Sequence, residues 1–126
     1  KGWPHEEAVR VPLLVRVPGV VPRRDDGAIS LLDLSAMTRA WADGVDAIVE
    51  RRHSVISMPS VVALPHQCDR VWRGLRTPQK KLVLDAGGEP WLYFDLEQDP
   101  LEMNNLAGEP ARRGEIAALS ARVGRG

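Results

Sequence analysis

The segment Arg10–Gly19, RVPLLVRVPG, sets the first limit on what this chain can fold into. Its leucine and β-branched residues are those of a buried strand. Prolines at 12 and 18 confine the paired part to Leu13–Val17, because proline offers no backbone donor. The chain opens on Lys1 rather than Met and runs within a few residues into this apolar stretch, so it reads as a piece of a longer polypeptide. Such a strand then belongs to a sheet whose other strands lie elsewhere, which predicts exposed apolar surface and poor independent stability.

Around it the elements are short. Pro4–Ala8 suits one helical turn, with proline and acids at its positive end. Val20–Gly27 is polar and reads as a solvated loop. Ser30 and Asp33 resemble a capping box opening a helix up to Gly44, with Leu34, Met37 and Trp41 as its core stripe. The stretch Val45–Val62 is ambiguous, although Val55–Met58 has strand composition. Val71–Thr77, Lys81–Leu84 and Trp91–Phe94 read as neighbouring antiparallel strands, the last two joined by a hairpin at Ala86–Glu89. A turn-rich stretch, Asp95–Gly108, leads to a final helix from Pro110, whose apolar face is Ile116, Leu119 and Val123.

With 126 residues, 44% hydrophobic, and 17 basic against 17 acidic residues, the chain has an ordinary globular composition and no net charge. That argues against nucleic acid as its main partner, since neutralising phosphates needs a basic face. No stretch reaches the roughly 20 apolar residues of a membrane-spanning helix. The single cysteine, Cys68, excludes an internal disulfide, and its sequence neighbour His66 does not make it a nucleophile. His5, His53 and His66 lack metal-ligand spacing, so no metal residues are assigned within the chain. Spacing and composition alone reach only a mixed α/β fragment.

Three stretches together resemble the C-terminal third of a sulfatase of the alkaline-phosphatase-like superfamily. KGWPHEEAVRVPLLVRVPG, residues 1–19, is similar to the pattern of a lysine, then EE-x-x-R-V-P-L and a strand ending in P-G. WRGLRTPQKKLVL, residues 72–84, is similar to R-T-x-x-x-K followed by an apolar strand. WLYFDLEQDPLEMNNLAGEP, residues 91–110, resembles the L-Y-D-L-x-x-D-P-x-E-x-x-N-L-A signature, with Phe94 inserted.

The resemblance implies an α/β fold: a C-terminal fragment holding part of the large sheet (residues 1–45), then a smaller subdomain with an antiparallel sheet and terminal helix (residues 46–126). It implies sulfate-ester hydrolysis of an aryl or carbohydrate sulfate by the parent protein, with calcium and a formylglycine nucleophile supplied upstream. Cys68 lacks the Pro and Arg of the C/S-x-P-x-R motif and is not the formylglycine precursor. The fragment alone is expected to be inactive. Lys1 occupies the place of the family's sulfate-contacting lysine, and Arg73 and Arg76 are candidates for the pocket's outer rim. A phosphonate or phosphate monoester hydrolase of the same superfamily, or a noncatalytic interaction module, are the alternatives. Compartment is left open.

Overall fold

A computed structural model describes residues 2–45, 53–61 and 64–124. In chain order it has α1 (Glu6–Val9), a 3-10 turn (Leu31–Asp33) running into α2 (Leu34–Ala42), then β1 (Ser54–Met58), β2 (Trp72–Arg76), β3 (Lys80–Leu84) and β4 (Pro90–Asp95). A second 3-10 turn, Pro110–Arg112, leads into α3 (Arg113–Val123). The four strands form one antiparallel sheet in sequence order, with Leu82 opposite Leu75 on one side and Tyr93 on the other. The ambiguous Val55–Met58 is thus the first strand of this sheet, paired with β2.

Local chemistry makes the hairpins. Between β2 and β3, the Thr77 amide donates to Lys80 O at 2.8 Å, and the Lys80 amide donates to Thr77 Oγ1 at 2.9 Å. Between β3 and β4, Asp85 Oδ1 accepts from the amides of Gly87 and Glu89, and Gly88 takes φ +85°, which its missing Cβ permits. At the start of α2, the Ser30 amide donates to Asp33 Oδ2 at 3.1 Å while Ser30 Oγ accepts from Leu32, the capping box read from the sequence.

Strand alternation divides the sheet into two faces. Leu75, Leu82, Leu84 and Tyr93 pack with Ile116 and Val123 of α3, each buried aliphatic side chain contributing about 1.5–3 kcal/mol. The Tyr93 hydroxyl donates to Glu115 Oε2 at 2.5 Å and ties the helix down. On the other face Trp72, Val83, Leu92 and Phe94 pack with Cys68, Val9 and Met58. The first residues of the chain therefore cover the second face of the small sheet.

One expectation needs correction. Leu13–Val17 forms no strand, and Leu14 is 95% exposed, with Val11, Leu13 and Val15 also exposed. A strand needs a neighbour offering unpaired donors and acceptors, and the described strands pair only among themselves over residues 54–95. The part of the large sheet read from this segment is thus not formed here. In α2 only Met37 of the expected stripe is fully buried; Leu34 and Trp41 are half-buried.

Candidate functional site

The charged centre of the described structure lies beneath the second face of the sheet, where Lys81 has no exposed surface. A lysine in that position is tolerated only when oxygens surround its ammonium. Three do: Glu6 Oε1 at 2.7 Å, Glu102 Oε1 at 2.6 Å, and Pro4 O at 2.9 Å. The Glu102 contact is an ion pair, and Oε1 accepts no well-directed hydrogen bond. Arg76 adds a second cation, its Nη2 lying 3.0 Å from Glu6 Oε2, while the Glu6 amide donates to Glu102 Oε2 at 2.7 Å. Two cations face two carboxylates, so the cluster is neutral in sum. Burial disfavours the charged form of Glu6, but hydrogen bonds from Arg76 and Lys81 outweigh it and hold this carboxyl below its ordinary value.

Each partner is delivered by a different part of the chain. Lys81 and Arg76 are directly opposite in β3 and β2, so the register itself pairs two cations that require acceptors. Glu6 stands at the first position of α1. Glu102 is swung under the sheet by the turn after β4, where it takes φ +55°, a conformation costing a non-glycine residue about 1–2 kcal/mol. The Asp99 carboxylate secures that turn by accepting from the amides of Met103 and Asn104 at 3.0 and 2.7 Å. Just beyond, Asn105 caps the free edge of β4: its Oδ1 accepts from the Tyr93 amide and its Nδ2 donates to Trp91 O. Asp99 and Asn105 of the stretch 91–110 are therefore spent on a turn and on edge capping, while Glu102 enters the charged cluster.

The residues singled out from the sequence fare differently. Lys1 lies outside the described residues. Arg76 is committed to Glu6. Arg73 is exposed on the same strand, but alternation places it on the α3 face, so the two arginines are not brought together at one rim. Cys68 is buried and its thiol donates to Arg70 O. His5 lies by Trp3 and Phe94, and His53 Nδ1 is 2.8 Å from Arg122 Nη2, at separate places. Among the described residues no three His, Cys, Asp or Glu side chains are grouped to hold a metal ion. The carboxylates of Glu6 and Glu102 are neutralised by Lys81 and Arg76, so they do not suit calcium, which needs free oxygen ligands. The cluster holds the chain in place; it contains no nucleophile. Glu6, Lys81 and Glu102 are fixed positions of the three motif patterns, one in each, but sequence reading gave none of them a role in a site.

No protein-family profile matches the chain. It is 30% identical over 132 residues to a choline-sulfatase of Rhizobium meliloti (strain 1021), a match covering 92% of this chain and 25% of that protein. Among solved structures, BT4656 in complex with its substrate D-glucosamine-2-N,6-O-disulfate superposes with a TM-score of 0.53 at 19% identity, covering 71% of this chain and 18% of that one. BT1596, a 2-O GAG sulfatase, gives 0.50 at 20% identity, covering 85% and 21%. The structural likenesses concern the fold. The chain spans about a quarter of the length of the curated relative and about a fifth of the solved chains.

Proposed function

We propose that the chain is a C-terminal portion of a sulfatase, and that the complete protein hydrolyses sulfate esters while these residues supply one wall of its site. The carrying observation is the 30% identity to a choline-sulfatase across 92% of the chain. The small sheet supports this reading because Glu6, Lys81 and Glu102, one from each stretch, meet in one cluster.

On this reading Lys1 contacts the sulfate. An ammonium beside the departing oxygen acts where negative charge grows in the transition state. The nucleophile, a formylglycine, and the oxygen ligands of a calcium ion belong to residues before Lys1, and the 126 residues alone turn nothing over. Arg76 serves the site through Glu6, and Arg73 lies on the sheet face away from it.

The substrate class splits between a small cationic alcohol sulfate, by likeness to the choline-sulfatase, and a sulfated sugar, by the fold shared with BT4656. The higher identity favours the first. Release of sulfate by the complete protein is measured in parallel from choline sulfate, a glucosamine sulfate and 4-nitrophenyl sulfate, with a phosphonate monoester as control. Faster turnover of the phosphonate overturns the sulfatase reading. Sulfate release by residues 1–126 alone overturns the placement of the nucleophile.

A further inference from the structure

We propose that Trp3, Trp91 and Arg70 form a binding surface for an uncharged pyranose ring, taken by its apolar face and its hydroxyl edge, independently of the sulfatase chemistry. The surface is the exposed end of a row of rings. From buried Phe94 the centroid of His5 is 5.9 Å away, Trp3 follows at 6.4 Å from His5, and Trp91 at 6.3 Å from Trp3. The guanidinium of Arg70 ends the row, 4.8 Å from the centroid of the Trp91 ring. Trp3 is 38% exposed and Trp91 is half-buried, so both indoles are packed and still reach solvent.

The backbone sets both tryptophans in place. Val83 pairs with Leu92 and Leu84 with Pro90, which leaves Trp91 as an extra residue in β4. A bulge of this kind re-aims a side chain, and Trp91 joins Leu92 on the second face of the sheet instead of pointing toward α3. Beside Trp3, Gly2 takes φ +84°, and a Cβ there would lie 3.3 Å from Met58 and 3.6 Å from Cys68. Trp72 Nε1 donates to Gly2 O at 2.8 Å, so the backbone next to Trp3 is pinned to the sheet. A ring held in this way has little freedom left to lose when a ligand stacks on it.

The charges select the ligand. Arg70 Nε and Nη2 donate to the two Asp69 oxygens at 2.9 and 3.5 Å, so the pair carries no net charge. An incoming anion meets the Asp69 carboxylate. An incoming cation meets a guanidinium already seated on the π-face it needs. A sugar ring meets neither obstacle: its C–H face packs on indole, while its hydroxyls accept from the remaining Arg70 N–H groups and donate to Asp69. The Arg70 and Asp69 side chains are 48% and 70% exposed, open to that contact.

Calorimetric titration of the complete protein with two neutral tetrasaccharides, cellotetraose and chitotetraose, tests this. At least one binds with a Kd of about 1 mM, the scale of one or two stacked rings with a few hydrogen bonds. Trp3→Ala weakens that binding on the order of 10-fold, whereas Trp3→Phe, which keeps a π-face, stays within about threefold of the parent. Arg70→Ala is the second variant, at a side chain whose loss leaves no core cavity, and it weakens binding by about 5-fold. Neither excess choline nor inorganic sulfate displaces the sugar. Absence of binding by both sugars at about 10 mM overturns the proposal, as does unchanged affinity in folded Trp3→Ala or Arg70→Ala. Displacement by choline or by sulfate overturns the assignment of an uncharged ligand.

Discussion

Lys81 and Glu102 meet at 2.6 Å beneath the sheet, the lysine without exposed surface and the glutamate in a left-handed backbone conformation. The turn after β4 is strained at the residue whose carboxylate the buried ammonium needs. Truncating Glu102 to Ala keeps the strain, frees the Glu6 amide of its acceptor and leaves Lys81 with one carboxylate. Breaking a buried pair in this way costs about 3–5 kcal/mol. Urea denaturation of Glu102→Ala is expected to show a loss of that size, with Glu102→Gln milder because its side-chain oxygen still accepts. A loss below about 1 kcal/mol, the scale of exposed pairs, contradicts the burial described.

The acid limb of stability follows from Glu6. Its folded carboxyl lies below the ordinary value of 4.5, so its contribution is full above that pH and disappears as pH falls through the depressed folded value. Asp95 adds a second limb of the same sign: its hydrogen bond from Lys80 outweighs burial and holds it below 3.8. Stability measured from pH 6 downward is therefore expected to fall most steeply below pH 4.5. Glu6→Gln is expected to flatten the upper part of that fall. An unchanged pH profile in Glu6→Gln means the native carboxyl is not stabilised by Arg76 and Lys81.

Gly74 carries a steric prediction. A Cβ at this position would sit 2.3 Å from Leu82 O and 3.2 Å from Val83 Cα, both backbone atoms of the paired strand β3. No side-chain rotation relieves that contact, so β2 and β3 must separate locally. Gly74→Ala is expected to destabilise by about 3 kcal/mol or more, at the upper end of overpacking costs. Thermal unfolding measures it, and a variant as stable as the parent sequence contradicts the close approach.

Much of this fold is legible where its causes are local. The Ser30–Asp33 box, the Asp85–Glu89 turn and the alternation in β2 to β4 each depend on residues a few positions apart. The cluster is different. Lys81 opens a predicted strand, and only the antiparallel register with Arg76 and Phe94 shows that it points under the sheet while Lys80 reaches Asp95. Glu6 and Glu102 come to it from distant sequence, a meeting that periodicity does not encode. The motif resemblance marks all three as pattern positions but does not show that they meet. Leu13–Val17 failed for the opposite reason: its local signal is that of a strand, and pairing is supplied by residues other than its own.

Asn105 is expected to matter more than an exposed asparagine ordinarily does. Its side chain accepts from the Tyr93 and Ala107 amides at 3.0 and 3.1 Å and donates to Trp91 O at 3.1 Å, while the Leu106 amide donates to Tyr93 O at 2.8 Å. These bonds do for the outer edge of β4 what a fifth strand would do. Asn105→Ala removes three of them, and with a net worth of about 0.5–1.5 kcal/mol each in partly wet surroundings the expected loss is about 2 kcal/mol. Hydrogen exchange locates it: the Tyr93 amide loses protection while the Leu82 amide, deep in β3, changes only with global stability. Equal loss of protection at both positions shows that Asn105 acts on the whole sheet and not on its edge.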